Sequence, residues 1–359
     1  MKMKLAICTT DQNYALRFIN YFNTHYGDRT ELSEFTSLQL LEEGIQLLKP
    51  DICLIGDEFV DEIGSVIRKN SQIIIFIEEQ DTDTKEFKSI YKYQKAELTY
   101  KEILNVYADK KNGIKAFRKK DANIASSYVF VSPSGGAGAT TVALAYATKE
   151  AKEKKVLYLN LQKYSNADLI LKGEGNGKFD DVIFALKSKR GSLSLKLESL
   201  VHSSKDNVKF FVSCDNPLDL AELTAEEVKR LLVELTTCGL YDQVILDIDN
   251  NLGEIEIAVM EAGDYIVLVE GGEESNQLKH KKYMVALETM ESKKNIDVTG
   301  KMFLFYNRFS NKNSNAIDNK LPVVGGLPRF EGVQMPAIVG RMAIMDCFDK
   351  LRNLENQEV

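Results

Sequence analysis

No stretch of this sequence reaches the roughly 18 uninterrupted apolar residues that a membrane-spanning helix needs, so no integral membrane segment is expected. Prolines number only six among 359 residues and no biased tract occurs, which excludes a collagen-like or low-complexity chain. Histidine is scarcer still, and His25, His202 and His280 share neither a segment nor a metal-ligand spacing, so no zinc site or histidine dyad is expected. The five cysteines, Cys8, Cys53, Cys214, Cys238 and Cys347, form no CxxC and sit mostly in apolar runs. They read as reduced core residues, not as a disulfide framework. An excess of basic charge is missing as well: the net charge is −7, which speaks against a surface built for nucleic acid. The opening MKMKLAICTTD lacks the apolar core and cleavage site of a signal peptide, and a cytoplasmic chain is expected.

What is present is an ordinary globular composition, 44% hydrophobic and 28% charged, on a chain long enough for two domains. Short apolar runs alternate with periodic helical segments from the start: KLAICTT, DICLIG and QIIIFIEE read as buried strands, YALRFINYF and LQLLEEGIQLLK as helices. This is an α/β pattern with parallel strands covered on both faces. It fades over residues 108–125, where Lys110, Lys111, Lys115, Arg118, Lys119 and Lys120 mark a solvated linker. The division expected is therefore residues 1–107, a linker, and residues 126–359. In the second series SYVFV, VLYLNL, VKFFVSC, QVILDI, YIVLVE and KMFLFYN recur as strands, predicting a doubly wound parallel sheet with ligands beyond its carboxyl edge.

The strongest chemical signal is SYVFVSPSGGAGATTVALAY, a strand, a glycine-rich turn and a helix. Gly135, Gly136 and Gly138 permit positive φ and close backbone approach, so the N–H groups around Ala137 and Ala139 can form an anion nest at the positive end of the helix. A nucleotide polyphosphate is the expected guest. Thr140 stands where a P-loop hydroxyl reaches Mg2+, and Thr141 can add a bond to phosphate. The strand QVILDI delivers Asp247 to its carboxyl end, the place of a Walker B carboxylate that holds a water of the same ion. Asn307, after KMFLFY, and Arg329, after a Gly-Leu-Pro turn, are candidates for the base side of the site.

On these residues, 126–359 resemble the MinD/ParA group of P-loop ATPases, whose deviant Walker A carries two lysines, KGGxGK[ST]. In SGGAGATT, Ser134 stands at the signature lysine and Ala139 at the general P-loop lysine, while Asn160 and Gln162 replace two aspartates of the acidic switch segment. Asn166 and Asp168 keep the later part of that pattern. One charged hydrogen bond contributes ~1.5–3 kcal/mol to binding, whereas groups that neutralise transition-state charge are worth about 10³–10⁵ in rate. The expectation is a protein that binds ATP and Mg2+ and hydrolyses slowly if at all, at most a weak ATPase.

The front segment resembles a response-regulator receiver, a flavodoxin-like fold. Asp11 matches one of the receiver's metal-binding acids with Thr10 beside it, Gly56 falls at the phosphoacceptor place with Asp57 one residue late, and Lys92 matches the receiver lysine. A degenerate, protein-binding receiver is expected. A receiver-like domain followed by a MinD/ParA-like domain with eroded Walker A resembles the TadZ/CpaE group of tight-adherence (Flp) pilus assembly. That resemblance implies a homodimer with nucleotide at its interface, partners in the pilus assembly and secretion machinery, and recruitment to the cell pole or the inner face of the membrane. Two other classes stay open on the sequence: a DNA-partitioning ParA-type ATPase, and a response regulator with a P-loop output domain. The last apolar segment, GRMAIMDCFDKLRNL, reads as a core-packing helix.

Overall fold

A computed structural model describes residues 2–79, 81–110, 124–175, 177–188, 191–309, 316–317 and 320–356. The greater part of the basic linker, residues 111–123, lies outside the described residues. Two compact units form: Met1–Phe117 with Arg190–Ser199, and Arg118–Lys189 with Leu200–Val359.

In chain order the elements are β1 (Met3–Cys8), α1 (Gln12–Tyr26), β2 (Thr30–Phe35), α2 (Leu38–Leu48), β3 (Ile52–Gly56), α3 (Ser65–Asn70), β4 (Gln72–Ile77), β5 (Lys88–Tyr91) and α4 (Ala96–Lys110). There follow β6 (Ser126–Val131), α5 (Ala139–Glu150), β7 (Val156–Asn160), α6 (Phe179–Ser188), α7 (Leu193–Leu200), β8 (His202–Ser203), β9 (Lys209–Phe210), α8 (Pro217–Ala221) and α9 (Ala225–Thr237). The chain continues through β10 (Gln243–Asp247), α10 (Glu254–Ala262), β11 (Tyr265–Glu270), α11 (Glu274–Lys294), β12 (Met302–Phe309), β13 (Val323–Pro328), α12 (Met335–Ala343) and α13 (Asp349–Arg352).

The first unit is a parallel sheet of order β2-β1-β3-β4-β5, the flavodoxin-like arrangement. Its strands are apolar on both faces, and the period of two sorts their side chains into two cores. Leu5, Ile7, Ile52, Leu54, Ile74 and Phe76 face one side, and Ala6, Cys8, Cys53, Ile55 and Ile75 the other. The first of these cores also holds Leu195 of α7, fully buried, and the same helix contributes Glu198 to an ion pair with Arg29 and Lys196 to one with Asp109 at 3.1 Å. Ten residues distant in sequence thus complete the receiver unit. Strand β2, TELSEF, escapes a reading based on apolar runs because it alternates and carries two glutamates.

The second unit is an eight-stranded sheet of order β13-β12-β11-β6-β10-β7-β9-β8, parallel except for the β8–β9 pair. Strand β6 lies between β11 and β10, so the turn that follows it opens at the centre of the carboxyl edge. Helix α5 is buried on nearly every side, from Val142 to Ala147, and its alanines allow close approach to the sheet and to α12. Val339, Met342, Phe348, Leu351 and Leu354 join the same core, so the final segment packs inward. All five cysteines are free thiols, with Cys214 and Cys347 only half-buried. His202 and His280 are buried and His25 is exposed. Among the described residues no helix is long and apolar enough to cross a membrane.

Candidate nucleotide site

The turn from β6 into α5 is held by its own short bonds. Ser132 Oγ donates to the Ser134 carbonyl at 2.8 Å and accepts from the Ser134 N–H at 3.1 Å, and the Ala137 N–H returns to the Ser134 carbonyl at 3.2 Å. Gly136 and Gly138 adopt φ of +80° and +90°, values that L side chains rarely tolerate. A Cβ on Gly138 would also lie 2.5 Å from Asn307 Nδ2, whereas Gly135 and Gly136 face open space with nothing within 4 Å. The loop is braced on one side and open on the other.

Beside it is a cavity of about 360 Å3, lined by Ser134 to Thr141, Gln162, Tyr164, Asn166, Asp249 and Arg308 among others. A second cavity of about 370 Å3 shares Thr141, Arg308 and Met335 with the first and adds Asn307, Arg329, Phe330, Val333, Ile338 and Met342. Every glycine-loop residue named from the sequence thus borders the first cavity, and Asn307 and Arg329 border the second. Asn307 is committed to the protein at both ends of its amide: Nδ2 donates to the Ala137 carbonyl at 2.7 Å and Oδ1 accepts from the Arg308 N–H at 3.0 Å.

Asp247 ends β10 fully buried, opposite Asn160 in the register with β7. Its Oδ2 accepts from the Tyr158 hydroxyl at 2.7 Å and from Asn160 Nδ2 at 3.2 Å, while Oδ1 is buried without a hydrogen-bond partner. Burial pushes this carboxyl up to about 7, against the lowering effect of the Tyr158 hydroxyl. Thr140 Oγ1 itself donates to Gln162 Oε1 at 3.0 Å, and Asn160 Oδ1 accepts from the Gln162 N–H at 2.8 Å. The two amides at 160 and 162 therefore link the helix threonine to the strand carboxylate without adding charge. The sequence marked them only as replaced aspartates.

These groups fit a magnesium nucleotide. Open glycines at a helix N-terminus suit phosphate, and a buried carboxylate oxygen left without a donor suits a water of the ion. Among the described residues no group of three or more His, Cys, Asp or Glu side chains that could hold a metal ion occurs.

In the first unit Asp11, Gly56 and Lys92 meet at the carboxyl ends of β1, β3 and β5, as a receiver requires. The acceptor place is filled differently, however: Glu58 turns its carboxylate onto the end of β1, accepting from Thr9 Oγ1 at 2.9 Å, the Thr10 N–H at 2.7 Å and Thr10 Oγ1 at 3.1 Å. A Cβ on Gly56 would fall 2.0 Å from Glu58 Oε2. Asp57 turns away, and its Oδ2 accepts from the Glu78 N–H at 3.2 Å. Lys92, buried, pairs with Glu78 at 2.6 Å and Asp11 at 3.0 Å. Its desolvation disfavours the charge, but the two carboxylates outweigh that and raise its pKa. Glu58 and Glu78 were not singled out in the sequence.

The family described as TadZ-like, receiver domain, matches residues 1–108. The rear unit has the fold of the ParA family ATPase from Chlorobium tepidum TLS, with a TM-score of 0.51, 15% identity, and coverage of 64% of this chain and 96% of that one. It is similarly close to a chain of the MinC:MinD cell division protein complex of Aquifex aeolicus, with a TM-score of 0.50, 17% identity, and coverage of 66% and 98%. A segment that matches a TadZ-like receiver domain thus precedes a rear unit of MinD/ParA-like fold. At these identities the rear-unit likeness is one of fold, a receiver-like unit joined to a MinD/ParA-like doubly wound sheet. No curated protein matches the chain.

Proposed function

We propose that this protein is an ATP-binding scaffold of tight-adherence pilus assembly, in which nucleotide stabilises a homodimer and hydrolysis is weak. The observation that carries the reading is the pairing of an open, braced glycine loop with a buried Asp247 oxygen that lacks a partner. Gly135, Gly136 and Gly138 would cradle the phosphates, the hydroxyls of Thr140 and Thr141 would face them, and Asp247 would orient a water of the metal. When bound, Mg2+ would neutralise phosphate charge. The mainly apolar second cavity, with Arg329 at its rim, would take the base.

Weak turnover follows from the residues that are present. Ala139 places a methyl where a phosphate-neutralising cation would act, and Gln162 spends its carbonyl on Thr140, so neither supplies charge that develops during transfer. The receiver-like unit offers no carboxylate at Gly56 and has its acceptor place covered by Glu58, which supports a protein-docking role without phosphorylation. A partner protein is in keeping with the Aquifex neighbour, itself a complex of MinC with MinD. Recruitment to a cell pole or to the inner membrane face belongs to the same reading.

Calorimetry of the full chain with Mg-ATP tests it. Binding that is weakened by Thr140→Ala and by chelation of magnesium supports the site, and no heat of binding even at millimolar nucleotide contradicts it.

A further inference from the structure

The cavity beside the glycine loop holds a single cation among its described lining residues, Arg308. Near the end of β12 this residue adopts φ +57°, in the left-handed region that a bulky side chain disfavours, and such strain persists only where its surroundings hold it. The surroundings are identifiable. The Arg308 N–H donates to Asn307 Oδ1 at 3.0 Å, and the same amide's Nδ2 donates to the Ala137 carbonyl at 2.7 Å, so one side chain fixes both the loop and the strand end that carries the arginine. The guanidinium is exposed and has no hydrogen bond or ion pair with any described residue. It borders both cavities, the one at the phosphate loop and the mainly apolar one beside it.

Resting on the proposed function above, we infer that Arg308 is the phosphate-binding cation of this site. It serves from the end of β12 the charge-neutralising purpose that Ser134 and Ala139 cannot serve from the loop. A planar guanidinium at the junction of the two cavities suits a nucleoside di- or triphosphate, whose phosphates lie in one and whose base lies in the other. It gives no comparable advantage to a nucleoside monophosphate. The site thereby selects for polyphosphate with a cation that comes from outside the P-loop sequence, where a motif search for lysine does not look.

The test is calorimetry on the full chain with Mg-ATP, Mg-ADP and AMP, comparing the unsubstituted protein, Arg308→Ala, Arg308→Lys, and Arg308→Ala combined with Ala139→Lys. Arg308→Ala should weaken Mg-ATP binding roughly 10- to 100-fold, leave the thermal unfolding temperature unchanged, and alter AMP binding little. Arg308→Lys should retain part of the affinity, and Ala139→Lys should restore much of it in the Arg308→Ala background, a rescue that a merely structural role would not produce. Equal Mg-ATP affinity in the unsubstituted protein and Arg308→Ala overturns the inference while leaving the proposed function intact. Absence of Mg-ATP binding by the unsubstituted protein overturns both.

Discussion

Asn307 donates from Nδ2 to the carbonyl of Ala137 at 2.7 Å, joining the end of β12 to the middle of the glycine loop 170 residues away in sequence. The bond is buried and lies where a Cβ on Gly138 would stand, so loop and strand end are fitted to one another. Asn307→Ala leaves the Ala137 carbonyl and the Arg308 N–H without this partner. We expect Mg-ATP affinity to fall roughly tenfold, since each buried bond contributes about 1 kcal/mol and an orphaned group costs more. Asn307→Asp should be worse, because it sets a carboxylate against a carbonyl. Calorimetry on the two variants checks the order.

Asn160 Nδ2 lies 3.2 Å from Asp247 Oδ2, and this amide bond is what a carboxylate at 160 would replace by repulsion. Asn160→Asp should therefore lower the unfolding temperature in chelator and regain much of the loss in millimolar Mg2+, because a half-buried carboxylate this close to the buried Asp247 carboxylate is best offset by a cation. A thermal-shift series with and without Mg2+ reads the difference. An identical loss under both conditions would show that position 160 does not face the metal.

Restoring charge should act differently on binding and on turnover. Ala139→Lys is expected to tighten Mg-ATP by about the ~1.5–3 kcal/mol of one charged hydrogen bond. Combined with Gln162→Asp it should raise turnover more than either change alone, since both groups would act in one transition state. Steady-state ATPase assays on the four proteins of that cycle decide it, and fast hydrolysis by the unsubstituted chain would contradict the account.

Glu58 gives the receiver-like unit a defined pH response. Its burial raises the carboxyl pKa, but the Thr10 N–H and the hydroxyls of Thr9 and Thr10 outweigh this and hold it below its ordinary value of 4.5. Its stabilising contribution is accordingly complete above that value and is lost as pH falls through the lower folded value. Glu58→Gln should cost on the order of 1 kcal/mol near pH 7, a modest figure because the group is largely exposed, and less near pH 3. Urea melts of the full chain at the two pH values check this. Acetyl phosphate should label neither protein, because Gly56 offers no acceptor.

Much of this molecule is legible before any coordinates. The glycine loop, Thr140 and Asp247 are recognisable because backbone nests and strand-end carboxylates leave local residue patterns, and the buried strands because parallel sheets are apolar on both faces. What is not legible depends on contacts distant in sequence. Asn307 reads as a base-contacting amide, yet both its ends are engaged with Ala137 and Arg308. Asn160 and Gln162 read as losses, and only the sheet register shows them linking Thr140 to Asp247. Leu195 and Glu198 complete a receiver unit from the far side of the chain, which no local period reveals. Arg308 stands next to Asn307 in sequence, and the signal that could have found it is the missing lysine itself, which leaves the proposed phosphate site in need of a cation.

The central claim, that ATP closes two copies of this chain into one functional unit, is tested most directly by sedimentation velocity of the full chain without nucleotide, with Mg-ADP and with Mg-ATP. Two-fold pairing makes every interface contact occur twice, so a modest gain per subunit produces a clear shift in mass. The account predicts a shift from monomer towards dimer with saturating Mg-ATP, smaller with Mg-ADP and diminished by Thr140→Ala. A sedimentation coefficient that stays monomeric with Mg-ATP at saturation, at the highest protein concentration reached, would contradict it.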